Sequence, residues 1–275
     1  MPHAVSSGDV DERPVAGHSS LDPLSISGEK SRASSGGTAL PRNFLLFCLT
    51  AGLFAGLLSW AVEEVDLRYF GPSYRVSKEN ERNASASGAE LARQRLETMT
   101  RTAMTSNGLL GGLLGLGLGF VGGRSRGLWT RAVIAGFLGL LFGGVACSLP
   151  SWLIVPRCYV DLAAADDLTF PLKVHLGMWI NAGVAGGLAL AVGLGSWRRG
   201  ILTVLGGALG AAFGTALYEF LGAVAFPTAE TNLPLSLEIA SRLTAHLAVA
   251  VFSAVGAGGA AQFISMSRER PAKVI

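Results

Sequence analysis

The chain has 275 residues, of which half are apolar, 15% are charged and 37 are glycine. Soluble domains usually carry about 25% charged residues, so this composition excludes an ordinary soluble protein and favours a helical protein with several membrane spans. The formal net charge of +3 is too small to indicate a nucleic-acid partner, and the basic residues sit at the ends of apolar runs.

The N-terminal segment, residues 1–43, contains nine serines and no aromatic side chain. Such a segment buries too little apolar surface to offset the entropy of ordering, which predicts a disordered tail. Because a long polar stretch precedes the first apolar run, we do not expect a secretory signal peptide. A short basic tail, residues 266–275, is expected at the other end.

Apolar runs predict the membrane domain, since about 20 apolar residues cross the hydrocarbon core. The expected fold class is all-α, a transmembrane bundle of six helices within residues 44–265. Residues 90–101 have an apolar face and predict a short helix that leads into the second span. The six spans cover about residues 44–62, 102–123, 128–149, 175–197, 201–226 and 243–264.

Glycine recurs at every fourth position of the second span. This spacing keeps one face of an α-helix free of side chains, and in lipid such a face lets another backbone approach closely. Small residues at similar spacing predict further helix contacts in the other spans. The glycines predicted at contacts are Gly111, Gly115, Gly119, Gly123, Gly139, Gly143, Gly187, Gly195, Gly210 and Gly214.

The odd-numbered spans share small residues at the same relative positions, in segments 51–59, 135–143 and 206–214. We interpret this as an internal repeat of three similar helical hairpins with the same orientation. Apolar segments of low complexity align easily, so chance similarity is the alternative.

The segments AGLFAGLLSWAVEE (residues 51–64) and GGALGAAFGTALYEF (residues 206–220) resemble segments of uncharacterised bacterial multi-pass membrane proteins. The resemblance implies a bacterial membrane protein and brings no activity, so no functional residue is carried over. Mitochondrial carriers also contain three helix pairs, but their Pro-x-Asp/Glu-x-x-Lys/Arg signature is absent here, which excludes that family.

The connections between spans alternate in charge, which predicts the orientation in the membrane. By the positive-inside rule, the tight arginine-rich turns and both termini are expected in the cytoplasm. The longer connections, residues 63–101, 150–174 and 227–239, are expected on the other side of the cell (inner) membrane. The arginines of the tight turns are Arg124, Arg126, Arg131, Arg198 and Arg199.

Catalytic and metal-binding motifs are absent from the sequence. There is no HExxH, no P-loop and no GxGxxG after a strand, and the cysteines show no CxxC spacing. We therefore expect no enzymatic activity, catalytic residue, cofactor or metal site. Cys147 and Cys158 either form a disulfide or remain two free thiols, and the spacing alone favours the simpler alternative of free thiols.

Polar residues within the spans are the candidate functional site. A carboxylate among apolar side chains needs a partner or access to water, and Glu219 interrupts the fifth span. We expect Glu219 to contact His246 or Arg242, in a layer that also contains Glu64, Asn107 and Asn181. The layer either joins helices by hydrogen bonds, which we favour for the two asparagines, or lines a pathway.

Two functions remain open. We favour a non-enzymatic structural or partner-binding bundle, whose partners are the lipid bilayer and either a second copy or another membrane protein. The alternative is a transporter or channel for ions or small solutes that uses the polar residues. A water-accessible cavity lined by Glu219 would favour transport, whereas a solid core would favour the structural role.

Overall fold

The computed structural model describes residues 40–69, 84–161, 169–227, 231, 233–236 and 238–269. These residues form six α-helices and no strand, and each helix is long and apolar enough to cross a membrane. The chain is therefore an all-helical bundle of membrane-spanning helices. The helices are α1 (Phe44–Tyr69), α2 (Ala84–Ser125), α3 (Trp129–Asp161), α4 (Thr169–Leu194), α5 (Trp197–Ala225) and α6 (Ile239–Glu269).

Several helices are longer than their apolar runs. The 42 residues of α2 extend about 63 Å, twice the hydrocarbon thickness of about 30 Å. The short helix predicted for residues 90–101 is thus part of α2, and the described residues of the predicted 63–101 loop, 63–69 and 84–101, are helical. The extension is held by packing, since Met99 is buried, and by a 2.6 Å hydrogen bond from Thr102 to Asp66 of α1.

The chain ends lie partly outside the described residues. The predicted N-terminal tail is outside them up to residue 39, and α1 begins one residue after that tail, at Phe44. At the other end α6 continues to Glu269, so the first residues of the predicted basic tail are helical, and residues 270–275 lie outside the described part.

Helix α3 continues through Pro150 and Pro156, although the predicted span ended at Leu149. Proline removes one backbone hydrogen bond from a helix, but packed neighbours and polar side chains compensate in membrane helices. Here the Ser148 hydroxyl donates to the Met104 carbonyl of α2 over 2.9 Å. The close contact with α2 therefore keeps α3 helical beyond the first proline.

The even-numbered helices form the inside of the bundle. Helix α4 contacts α2 and α6, and these two make a smaller contact with each other. Each odd-numbered helix packs in the groove between two even-numbered ones: α1 on α6 and α2, α3 on α2 and α4, and α5 on α4 and α6. The odd-numbered helices are consequently the more exposed.

Large apolar side chains cover the outside of the bundle, whereas small ones fill its interior. The exposed fractions of Phe54, Phe142 and Leu209 exceed 60%, while Ala211, Ala250 and Ala254 are buried. In water this arrangement would be unfavourable, but hydrocarbon solvates apolar side chains, so close packing of small residues can drive helix association. The distribution of side chains agrees with a membrane protein.

Backbone contacts at glycine hold neighbouring helices together. A Cβ atom at Gly119 would lie 2.5 Å from the carbonyl oxygen of Ala135, so no side chain fits there. Along α2 and α3, Gly111 faces Gly143, Gly115 faces Gly139 and Gly123 faces Ala132. Equivalent contacts join Gly187 to Thr203, Gly210 to Phe252 and Gly214 to Ala248.

Gly195 has a different role from the one predicted. It follows the last residue of α4 with a φ of 63°, a left-handed conformation that glycine adopts at little cost. Its amide donates to the Ala191 carbonyl over 2.9 Å, which closes the end of the helix. Gly195 therefore ends α4, and the conformation of its own backbone explains the glycine.

Candidate functional site

Polar side chains from all six helices lie at one level of the bundle, which we call the polar layer. Glu63 is 19 residues beyond Phe44 in α1, and Glu219 is 18 residues beyond Ile201 in α5. At 1.5 Å per residue these separations are about 27–29 Å, close to the hydrocarbon thickness of about 30 Å. The main residues of the polar layer are Ser59, Glu63, Glu64, Asn107, Ser151, His175, Glu219, Arg242 and His246.

This depth lowers the cost of charge in the polar layer. Arg124, near the other end of α2, is 17 residues beyond Asn107 of the polar layer, about 26 Å along the helix. The polar layer therefore falls near the opposite membrane–water boundary, where charged side chains cost less than at the bilayer centre.

The first centre in the polar layer joins α1 to α6. Oε2 of Glu63 lies 2.7 Å from Nε2 of His246, and Nδ1 of His246 lies 2.7 Å from the Ser59 hydroxyl oxygen. Gly56 makes this possible, since a Cβ there would be 3.0 Å from the His246 carbonyl oxygen. Glu63 is 1% exposed and Ser59 is fully buried, so the pair is removed from water.

Glu63, His246 and Ser59 are the residue types of a hydrolytic triad, but their surroundings do not fit that chemistry. A triad needs room for a substrate beside the serine. Ser59 is fully buried, and the neighbouring cavity, lined by Glu63 and His246, has a volume of about 10 Å³. That volume is close to the space of a single water molecule, so there is no room for a substrate beside Ser59 in this arrangement.

A second ion pair lies one residue further along α1. The guanidinium of Arg242 donates to both carboxylate oxygens of Glu64, over 2.7 and 2.9 Å, and also to the Ser236 carbonyl over 2.8 Å. Paired parallel hydrogen bonds are the strongest arrangement for arginine and carboxylate. Arg242 thus joins α1, α6 and the α5–α6 connection.

The third centre joins α4 to α5. Nδ1 of His175 contacts a carboxylate oxygen of Glu219, and Nε2 lies 3.0 Å from the Leu233 carbonyl oxygen. The imidazole is stacked on Trp179, with ring centroids 4.5 Å apart and an interplanar angle of 5°, and meets Tyr218 edge-on. Both ring nitrogens of His175 are consequently engaged.

Asn107 connects α2 to α3 and α4. Its amide nitrogen donates to the Ser151 hydroxyl over 2.9 Å, and its amide oxygen accepts from the Trp179 indole over 3.0 Å. Asn107 is 2% exposed, so these bonds replace the water it would otherwise bind. The polar layer is therefore linked across three helices on this side as well.

The α5–α6 connection covers the polar layer. Residues 233–236 of this connection are buried, and Pro234, Leu235 and Ser236 line the small cavity together with Arg242. Glu219 is absent from the lining of that cavity. The small cavity is thus lined by Glu63 and not by Glu219, whose side chain is 20% exposed.

The predicted pairing of Glu219 with His246 or Arg242 is wrong. Glu219 contacts His175, His246 contacts Glu63, and Arg242 contacts Glu64. Antiparallel α5 and α6 do place Glu219 and His246 at comparable depth, but each points toward its other neighbour.

Asn181 is not part of the polar layer. It donates to the Gly177 carbonyl of its own helix over 3.0 Å and is only partly buried. The sequence analysis missed Ser59, Glu63, Ser151 and His175 of the polar layer. Of these, His175 belongs with Trp179 and Gly183 to a row spaced by four residues along α4. Asn181 is two positions from Trp179, about 200° around the helix, and therefore lies off this row. The four-residue spacing of His175, Trp179 and Gly183 was the signal in the sequence for the helix face that contributes to the polar layer.

Cys48, Cys147 and Cys158 are buried, and Cys147 and Cys158 do not form a disulfide. No group of three or more His, Cys, Asp or Glu side chains that could hold a metal ion occurs among the described residues.

Comparisons with protein-family models, curated proteins and solved structures found no match to this chain.

Proposed function

We propose that this protein is a non-enzymatic membrane bundle with a structural or partner-binding role. The observation that carries the proposal is the filled interior. Backbones meet at Gly115 and Gly139, at Gly183 and Gly207, and at Gly206 and Gly256. The cavity within the polar layer measures only about 10 Å³, so the described helices support a rigid body better than a solute pathway.

The ion pairs support the same role. Replacing a buried ion pair by apolar residues often leaves stability unchanged, so such pairs add little stability as a whole. They do penalise arrangements in which one partner is buried alone. The ion pair of Arg242 with Glu64, between α6 and α1, therefore favours one arrangement of these helices.

The part of α2 beyond the membrane offers a surface for a partner. Arg93 and Glu97 form an i,i+4 pair on it with N···O of 3.4 Å, and both side chains are 63% exposed. A charged, rigid helix of this kind suits a second copy of the chain or another membrane protein. Lipid covers the apolar sides of the bundle in this proposal.

A transport role is the second candidate, favoured by Glu63 alone. Both of its carboxylate oxygens are buried without a well-aligned hydrogen bond to the described residues, and the carboxylate lines the small cavity. A buried carboxylate beside a histidine is typical of proton pathways in membranes. Transport would require residues 233–236 to move away from the polar layer.

A flux measurement separates the two candidates. We expect vesicles containing the purified protein to show no flux of protons, Na⁺ or K⁺ above empty vesicles. Glu219→Gln should keep the fold, because glutamine can still hydrogen-bond His175, whereas Glu219→Leu should lower the unfolding temperature. A proton or cation flux that is present in the wild type and lost in Glu63→Gln would support transport instead.

We also propose that the bundle is a repeat of three helical hairpins. The support is the contact pattern, in which every odd-numbered helix packs between two even-numbered ones. Close small-residue contacts, such as Gly115 with Gly139 and Gly183 with Gly207, recur between α2 and α3 and between α4 and α5.

For orientation, we propose that both termini face the cytoplasm of a bacterial cell, in its inner membrane. The support is the arginines in the α2–α3 and α4–α5 turns, such as Arg124 and Arg126. A reporter fused to the C-terminus should report the cytoplasm, and one inserted between residues 74 and 80 should report the other side. A cytoplasmic signal from the inserted reporter would contradict this topology.

A further inference from the structure

A long apolar groove lies between α1 and α2, at the end of the bundle away from the polar layer. Its volume is about 740 Å³, within the range of about 300–1,000 Å³ typical of ligand sites. Phe54 and Leu58 of α1 line it on one side, and Leu113 and Phe120 of α2 on the other. The groove is therefore an apolar depression on the outer surface of the bundle, which faces lipid.

The groove has a basic end. Arg124 and Ser125 line that end, as does Pro41, which the exposed Arg42 follows directly. The Arg124 guanidinium lies over the Trp129 ring, 5.8 Å from its centroid, and no carboxylate among the described residues pairs with it. Tryptophan is enriched at the headgroup level of membranes, so Arg124 is placed where lipid phosphates lie.

The length of the groove fits an acyl chain. On α2 its lining runs from Leu113 to Ser125, a separation of 12 residues or about 18 Å along the helix. One leaflet of the hydrocarbon core is about 15 Å thick, half of the whole. The groove on α2 is therefore long enough for an acyl chain within one leaflet.

We propose that this groove binds an anionic phospholipid, with an acyl chain between α1 and α2 and the phosphate at Arg124. Positive charge beside an apolar groove is the arrangement that recognises anionic headgroups. This site is independent of the polar layer and of the structural role proposed above.

A second groove provides a matched control. It lies between α3 and α4, has a volume of about 300 Å³, and is lined by apolar residues and Asn181 without any charged side chain. Its residue Val184 is 36% exposed, so Val184→Trp should fill the second groove as Thr50→Trp fills the first.

The experiment measures lipid binding to the full chain, purified in detergent and stripped of lipid. Phosphatidylglycerol and phosphatidylcholine with the same acyl chains are titrated, and bound lipid is counted by native mass spectrometry. We expect one phosphatidylglycerol to bind at least about fivefold more tightly than phosphatidylcholine, the effect of one basic residue near a lipid phosphate. Arg124→Gln should remove this preference, and Thr50→Trp should prevent binding of that first lipid.

Two control variants decide whether the effect belongs to this groove. Arg131→Gln removes an exposed arginine near the same end of the bundle, and Val184→Trp fills the control groove, so both should bind phosphatidylglycerol as the wild type does. Equal binding of the two lipids, or an equal loss in Arg131→Gln, would overturn the proposal. Unchanged lipid binding in Thr50→Trp would also overturn the proposal. If Thr50→Trp does not fold, Arg124→Gln still decides, because Arg124 is exposed.

Discussion

Gly119→Leu is expected to abolish stable folding. A Cβ at this position would lie 2.5 Å from the carbonyl oxygen of Ala135 and 2.8 Å from the amide nitrogen of Gly136. Both are backbone atoms, so no side-chain rotation relieves the overlap, and α2 and α3 must separate. Overpacking in a core costs about 1–3 kcal/mol even where side chains can move, and we expect a larger loss here.

Two substitutions serve as controls for Gly119→Leu. A Cβ at Gly259 of α6 would meet no atom within 4 Å, so Gly259→Leu should purify and melt as the wild type does. Leu116 is 37% exposed, so Leu116→Ala should be mild, whereas Leu118 is fully buried and Leu118→Ala should cost more. Size-exclusion profiles and melting temperatures in detergent measure the result, and a wild-type melt for Gly119→Leu would show that the helices are not close-packed.

Removal of His246 is expected to have the second large effect. Glu63 is 1% exposed and faces His246 over 2.7 Å, so His246→Leu leaves a carboxylate buried without its partner. Leaving a buried polar group without its partner costs about 1–3 kcal/mol. Unfolding in mixed micelles of mild detergent and dodecyl sulfate measures the change in free energy.

A double-mutant cycle tests whether the cost comes from the pair. The double variant Glu63→Leu/His246→Leu should be less destabilised than His246→Leu alone, because an apolar pair leaves no charge without a partner. Leu247→Ala, next to His246 but outside the polar contact, serves as a control of ordinary packing loss. If the losses of unfolding free energy in the two single variants add up in the double variant, Glu63 and His246 contribute to stability independently of each other.

Much of the fold could be predicted from the sequence, because the relevant signals are local. Apolar runs of about 20 residues indicate membrane spans whatever their neighbours are, and six helices long and apolar enough to span are present. A row of glycines on one face likewise permits a close helix contact, and Gly115 does meet Gly139. The helix ends were less predictable, since packing beyond the membrane extends α2 and α3 through charged residues and proline.

The partners in the polar layer were decided only by the tertiary structure. Spacing places Glu219 and His246 at similar depth, but depth does not specify which neighbouring helix each side chain faces. Glu219 meets His175, 44 residues earlier in the chain, because α5 lies between α4 and α6 and turns this residue toward α4. Composition and periodicity thus determine that the helices form and where polar residues lie along them, whereas the rotation of each packed helix determines which charges pair.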